Sequence, residues 1–190
     1  MPIEHQEGYL TGKLLLAMPN MEDPRFARSV IYMCAHTAEG AMGLVINRLN
    51  SAIAFPGLLE QLGIETKGPV PNTPIYGGGP VEIGRGFVLH SADYVQESTL
   101  VVSETIALTA TVDILTAIAE GRGPQAHLIT LGYSGWAPGQ LEDEIQRNGW
   151  LTVDADMDLV FYTDLNMKWP RAMAKIGVDV TMLSSTAGHA

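Results

Sequence analysis

Apolar residues in this chain come in short runs, each soon closed by glycine, proline or a polar turn, and that punctuation limits the fold to short elements. Leu14 to Met18 stops at Pro19, SVIYMCAH (29–36) passes into a Glu39-Gly40 turn, and MGLVIN (42–47) follows it closely enough to make a hairpin. Nothing approaches the ~20 consecutive apolar residues that span a bilayer, so no membrane span is expected. Further strands are predicted at 12–18, 75–76, 86–90, 100–103, 127–131 and 159–162. Helices are predicted at 55–62 with Gly63 as its cap, at 111–120, at 139–148 ending on Gly149, and at 170–176, begun by Pro170 and closed by Gly177. In the second of these, Val112, Leu115 and Ile118 recur at three-residue steps on one face. Hairpins and crossovers alternate, and the Pro- and Gly-rich run 68–74 reads as a surface loop. The fold expected over 1–190 is therefore a single α+β domain. Its mixed, largely antiparallel sheet, open or partly closed, is packed by about four helices. At 190 residues and 46% hydrophobic content the chain can fill one such core.

Charge narrows the partners. With 21 acidic against 11 basic residues the net charge is −10, and the basic residues are scattered. Such a surface repels a nucleic-acid backbone and an anionic membrane, so neither is an expected direct partner. The one cysteine, Cys34, excludes an internal disulfide. A free thiol suits a reducing compartment, and with Glu4 and Glu7 where an export signal carries positive charge, the cytoplasm is the expected location.

Several motifs imitate known chemistry and fail on a particular point. Asp154, Asp156 and Asp158 open like a calcium loop, but Leu159 stands at the glycine position and Leu165 at the bidentate glutamate. Gly121, Gly123 and Ala126 spell a dinucleotide fingerprint in the wrong context, after a helix and before a strand. Gly132-Tyr133-Ser134-Gly135 lies near a strand-to-helix boundary, as a nucleophile elbow does, but its second glycine comes one residue early, and only His189 follows the serine. No metal or cofactor is expected.

Other residues stay open as candidates. Strand alternation puts Cys34 and His36 on one face, where an imidazole could activate a thiol, although cysteine is more commonly an inert core residue. His90 is a second imidazole candidate. Gly77-Gly78-Gly79-Pro80 allows either a tight turn or a backbone cradle for a ligand. Glu142, Asp143 and Glu144 favourably oppose a helix dipole, yet Gln140 and Glu144 share a face between Trp136 and Trp150, which together could wall a pocket.

In combination the motifs resemble the AlgH/YqgE family of bacterial proteins. The match is carried by Met18-Pro19, Asp23-Pro24, Phe26, Arg28-Ser29-Val30, Cys34, His36, Gly40, Gly43, Asn47-Arg48, Gly78-Gly79-Pro80, Arg85-Gly86-Phe87 and Leu89-His90. It continues through Leu131-Gly132-Tyr133, Trp136, Gly139 to Glu142, Glu144-Ile145, Asn148, Trp150-Leu151 and Gly188-His189-Ala190. This chain departs from the pattern at Ala35, where the family usually carries an acidic residue. The resemblance implies a single mixed α/β domain in the cytosol. The family has been labelled as transcriptional regulators from a genetic association, with no established catalytic or DNA-binding activity, so any regulation is expected to act through a small molecule or protein partner.

The reading that follows is a binding protein rather than an enzyme. Its candidate site comprises Asn47, Arg48, Gly77, Gly78, Gly79, Arg85, Trp136, Gln140 and Glu144, expected to converge on one recess. A Cys34-dependent enzyme using His36 or His90 is the alternative.

Overall fold

The computed structural model describes residues 9–178. Glu4, Glu7 and the Gly188-His189-Ala190 motif lie outside the described residues. Nine strands are seen among those described: β1 (Lys13–Ala17), β2 (Val30–Thr37), β3 (Gly40–Val45), β4 (Ile75–Gly77), β5 (Val81–Ser91), β6 (Leu100–Val101), β7 (Ile106–Thr109), β8 (His127–Trp136) and β9 (Trp150–Asp154). They form one curled sheet, a half-barrel, in the order β6-β7-β5-β8-β3-β2-β1-β9. Every pairing is antiparallel except that of β4, which runs parallel beside β8. The expected mixed, largely antiparallel α+β architecture is what the chain adopts.

Five helical segments pack this sheet: α1 (Phe55–Gln61), α2 (Val112–Ala119), α3 (Gln140–Gln146), a π-helical turn (Asp158–Tyr162) and α4 (Leu165–Lys175). In α1, Pro56 fits the first turn, where its missing N–H leaves no hydrogen bond unmade. Gly63, at φ +70°, ends that helix in a left-handed conformation.

Because the sheet is covered on both faces, its central strands are apolar on both. Leu14 and Leu16 of β1 point into the half-barrel with Val30, Tyr32, Leu44, Leu89 and the α4 residues Trp169 and Met173. Leu15 and Ala17 point outward with Ile31, Met33 and Val45, under Leu141 of α3 and the two indoles of Trp136 and Trp150. A third cluster seals α1 and α2 against Val88 and Ile129. Each fully buried leucine contributes about 2 kcal/mol of transfer free energy, so the two-faced strands at the centre anchor the fold.

Three expectations about elements are corrected, and two strands form where none is expected. Residues 159–162 form the π-helical turn, not a strand: the Leu159 amide donates to Asp156 Oδ1 at 2.8 Å, starting a helical turn over a short apolar run whose periodicity is ambiguous. Helix α4 starts at Leu165, with Pro170 inside it rather than at its first position. Strands β7 and β9 are the two that local pattern does not predict, each taking its structure from its pairing, to β5 and to β1. Finally, β8 does not stop at Leu131. It runs on to Trp136, kinked at Gly132 (φ +78°), so Ser134 lies inside a strand rather than on an elbow. Its hydroxyl is fully buried and donates to the Gly78 carbonyl at 3.2 Å.

Candidate functional site

The cysteine and histidine of β2 do not share a face. Between Met33 and Ala35 the pairing with β3 slips by one residue, a β-bulge that adds a residue opposite Met42 and reverses the alternation beyond it. Cys34 therefore looks into the half-barrel beside Tyr32, whereas His36 looks outward to α3. The thiol is 1% exposed, and burial pushes it up to about 12, away from the thiolate. His36 accepts the Leu10 amide on Nδ1 at 3.0 Å, which leaves Nε2 to donate to Glu142 Oε1 at 2.6 Å. Both ring nitrogens are thus occupied in tying residues 9–12 and α3 to β2. His90 is similarly engaged. Nδ1 bonds the Ser91 carbonyl at 2.9 Å and Nε2 the Thr109 hydroxyl at 2.8 Å, and burial holds its pKa below the usual histidine value.

The expected convergence on one recess does not occur, because most of those residues have structural partners. Asn47 clamps the 28–30 segment, its Oδ1 accepting the Val30 amide at 2.9 Å and its Nδ2 donating to the Arg28 carbonyl at 2.9 Å. Arg48 donates to the Arg25 carbonyl and, at 2.9 Å, to that of Ala27. Gly77 pairs along β4, its amide on the Arg48 carbonyl at 2.9 Å. A Cβ on Gly78 would fall on the Gly132 carbonyl, and one on Gly79 on the Tyr133 peptide, so these glycines let two backbone segments touch. Glu144 Oε1 receives the indole N–H groups of both Trp136 (3.1 Å) and Trp150 (2.9 Å), and Gln140 completes the cluster by donating to Oε2 at 2.9 Å.

Arg85 and Trp136 are the two candidates that border an open recess of about 460 Å³. It lies at the mouth of the half-barrel, between the β2–β3 hairpin and the middle of β5. Phe87 and Tyr133 meet there edge to face at 5.8 Å, with Met42 beside them and the Arg85 guanidinium 5.1 Å above the Phe87 ring. Glu39 lies on the rim and Ala35, Thr37 and Gly135 on the walls. Sequence reasoning named Arg85 and Trp136 as candidates but not Met42, Phe87 or Tyr133. Arg85 and Phe87, like Tyr133 and Gly135, share a face only because β5 and β8 extend beyond the expected 86–90 and 127–131.

The aspartates of the calcium-like segment have other roles, Asp154 pairing with Lys13 at 3.1 Å and Asp156 with Lys175 at 2.9 Å. Among the described residues no cluster of three His, Cys, Asp or Glu is placed to hold a metal ion, and no helix is long and apolar enough to cross a membrane.

Known proteins of the same build can be compared with this geometry. A family model described as AlgH-like matches residues 14–181. A UPF0301 protein of Bradyrhizobium diazoefficiens is 58% identical, the match covering 96% of this chain and 89% of that protein. One from Rhodospirillum rubrum is 54% identical over 99% of this chain and 98% of its own. The solution structure of AlgH from Pseudomonas aeruginosa superposes with a TM-score of 0.80 at 43% identity, covering 99% of this chain and 100% of that one. A crystal structure from Corynebacterium diphtheriae, with TM-score 0.69 and 24% identity over 90% of this chain and 88% of its own, shares the fold. On the family model and these relatives together, the chain belongs to the AlgH-like, UPF0301 family.

Proposed function

We propose that this protein is a non-enzymatic cytosolic binding protein that seats a small ligand in the mouth of its half-barrel. The recess of about 460 Å³ carries the reading, since barrel mouths with an apolar floor and a few polar rim groups are places where ligands bind. The Cys/His alternative is disfavoured by a thiol raised to about 12 and a bulge that turns it away from His36. Any part the protein plays in gene regulation runs through its ligand or a protein partner, because a net charge of −10 opposes direct contact with DNA.

A small-molecule library screened by backbone amide shifts tests this. Hits are expected to move Thr37, Met42, Phe87 and Tyr133, and an Ala35→Phe variant, which fills the recess, is expected to lose those shifts while keeping its fold. Hits that map elsewhere and survive Ala35→Phe, or a library that leaves these amides unmoved, would count against the recess.

A further inference from the structure

Two opposite charges border the recess without pairing to each other. Glu39 sits in the β2–β3 turn, its amide fixed by the Thr37 hydroxyl at 3.1 Å, and its carboxylate has no ionic partner among the described residues. The turn is tight there: Gly40 adopts φ +137°, and a Cβ would meet the Trp136 carbonyl. The ionic contact of Arg85, on β5, among the described residues is with Glu82 at 3.5 Å, which is too long for a strong hydrogen bond, and its guanidinium otherwise lies over the Phe87 ring. Its guanidinium, with five N–H donors, makes no hydrogen bond among the described residues. Phe87, Tyr133 and Met42 line the same recess.

A ligand of either single charge would satisfy one rim group and face like charge at the other. A ligand carrying both would satisfy the two together, and being neutral overall it would approach a −10 chain without repulsion. Resting on the reading of the recess as a ligand site, we propose that its ligand is a small zwitterion with an apolar or aromatic body. The carboxylate lies on Arg85, the ammonium on Glu39 and the body on the Phe87–Tyr133 pair, which is the chemistry of a free amino acid or short peptide.

Four probes sharing a phenyl ring separate the charges: phenylalanine, 3-phenylpropionate, 2-phenylethylamine and 2-phenylethanol, each titrated into the full chain and followed by amide shifts. Phenylalanine is expected to bind about fivefold tighter than either singly charged probe, the gain of one solvent-exposed ion pair. Arg85→Gln is expected to reduce phenylalanine to the level of phenylethylamine, and Glu39→Gln to that of phenylpropionate. Both positions are on the rim, so neither change should disturb folding. Equal affinity for all four probes, or phenylpropionate or phenylethylamine matching phenylalanine, would overturn the zwitterion while leaving the recess as a site. If no probe moves Phe87 or Tyr133, the zwitterion falls, and the library screen alone decides whether the recess remains a site.

Discussion

At the scale of single residues, composition says which groups could react, and burial decides whether they do. Cys34 is the clearest instance. Lifting its pKa from 9.0 to about 12 lowers the thiolate population near neutral pH about a thousandfold, at tenfold per unit. Alkylation of the native protein by iodoacetamide at neutral pH is therefore expected to be at least about a hundredfold slower than that of the urea-unfolded chain, since the buried thiol is also shielded from the reagent. His36→Ala is expected to leave the native rate unchanged, since the imidazole faces α3. Native labelling as fast as in urea would restore a reactive thiol to consideration. Glu144 gives the same lesson from the other side. Its spacing from Gln140 correctly put the two on one face, and the flanking tryptophans were legible as neighbours. That their indoles donate to this one carboxylate oxygen required the curl of β8 and β9, which no local pattern encodes.

At the scale of elements, the two-faced burial of β1, β2 and β3 was legible as continuous apolar runs, and glycine stops located the ends of α1 and α2. What local periodicity could not provide was register. One extra residue at the Cys34 bulge moves His36 to the opposite face, so the pair inferred from alternation dissolves. Convergence of Arg48, the glycines and α3 failed for a related reason: each has its own partners on distant segments, the Arg48 guanidinium on the Ala27 carbonyl, Gly78 and Gly79 on the β8 backbone, and Glu144 on the two indoles. The glycines illustrate how context separates identical residues. At Gly77 an added Cβ has nothing within 4 Å, whereas at Gly79 it lands on the Tyr133 peptide with the backbone at φ +153°. Gly77→Ala is expected to change stability by less than about 1 kcal/mol. Gly79→Ala is expected to cost about 3 kcal/mol or prevent folding, combining overpacking with a strained backbone. Urea denaturation of the two variants checks this, and equal midpoints would contradict the close approach of β8.

At the scale of the whole molecule, α4 is held across the half-barrel by a buried cation. Lys168 is 1% exposed, and its ammonium donates to the carbonyls of Ile46 at 2.9 Å and Val160 at 2.8 Å, joining the end of β3 to the π-helical turn. The Tyr76 ring lies 5.5 Å away, and no carboxylate pairs with this amine among the described residues. Carbonyl dipoles and an aromatic face compensate only part of the lost hydration, so burial pulls the pKa down from 10.5 to about 8. The neutral amine keeps two hydrogens, one for each carbonyl, so deprotonation need not undo the tie. Between about pH 8 and 10.5 the unfolded chain holds more protons at this site than the native one, and stability supplied by Lys168 rises with pH across that window. Below it the full penalty of charging the buried amine applies, and above it none does. Other lysines and tyrosines titrate in the same range, so the informative quantity is the difference from Lys168→Met. Relative to that variant, the wild-type chain is expected to gain about 3 kcal/mol in unfolding free energy on going from pH 8 to 10.5, from the size of the shift. A difference that stays flat with pH would mean that water reaches the amine and that α4 is not sealed onto the half-barrel.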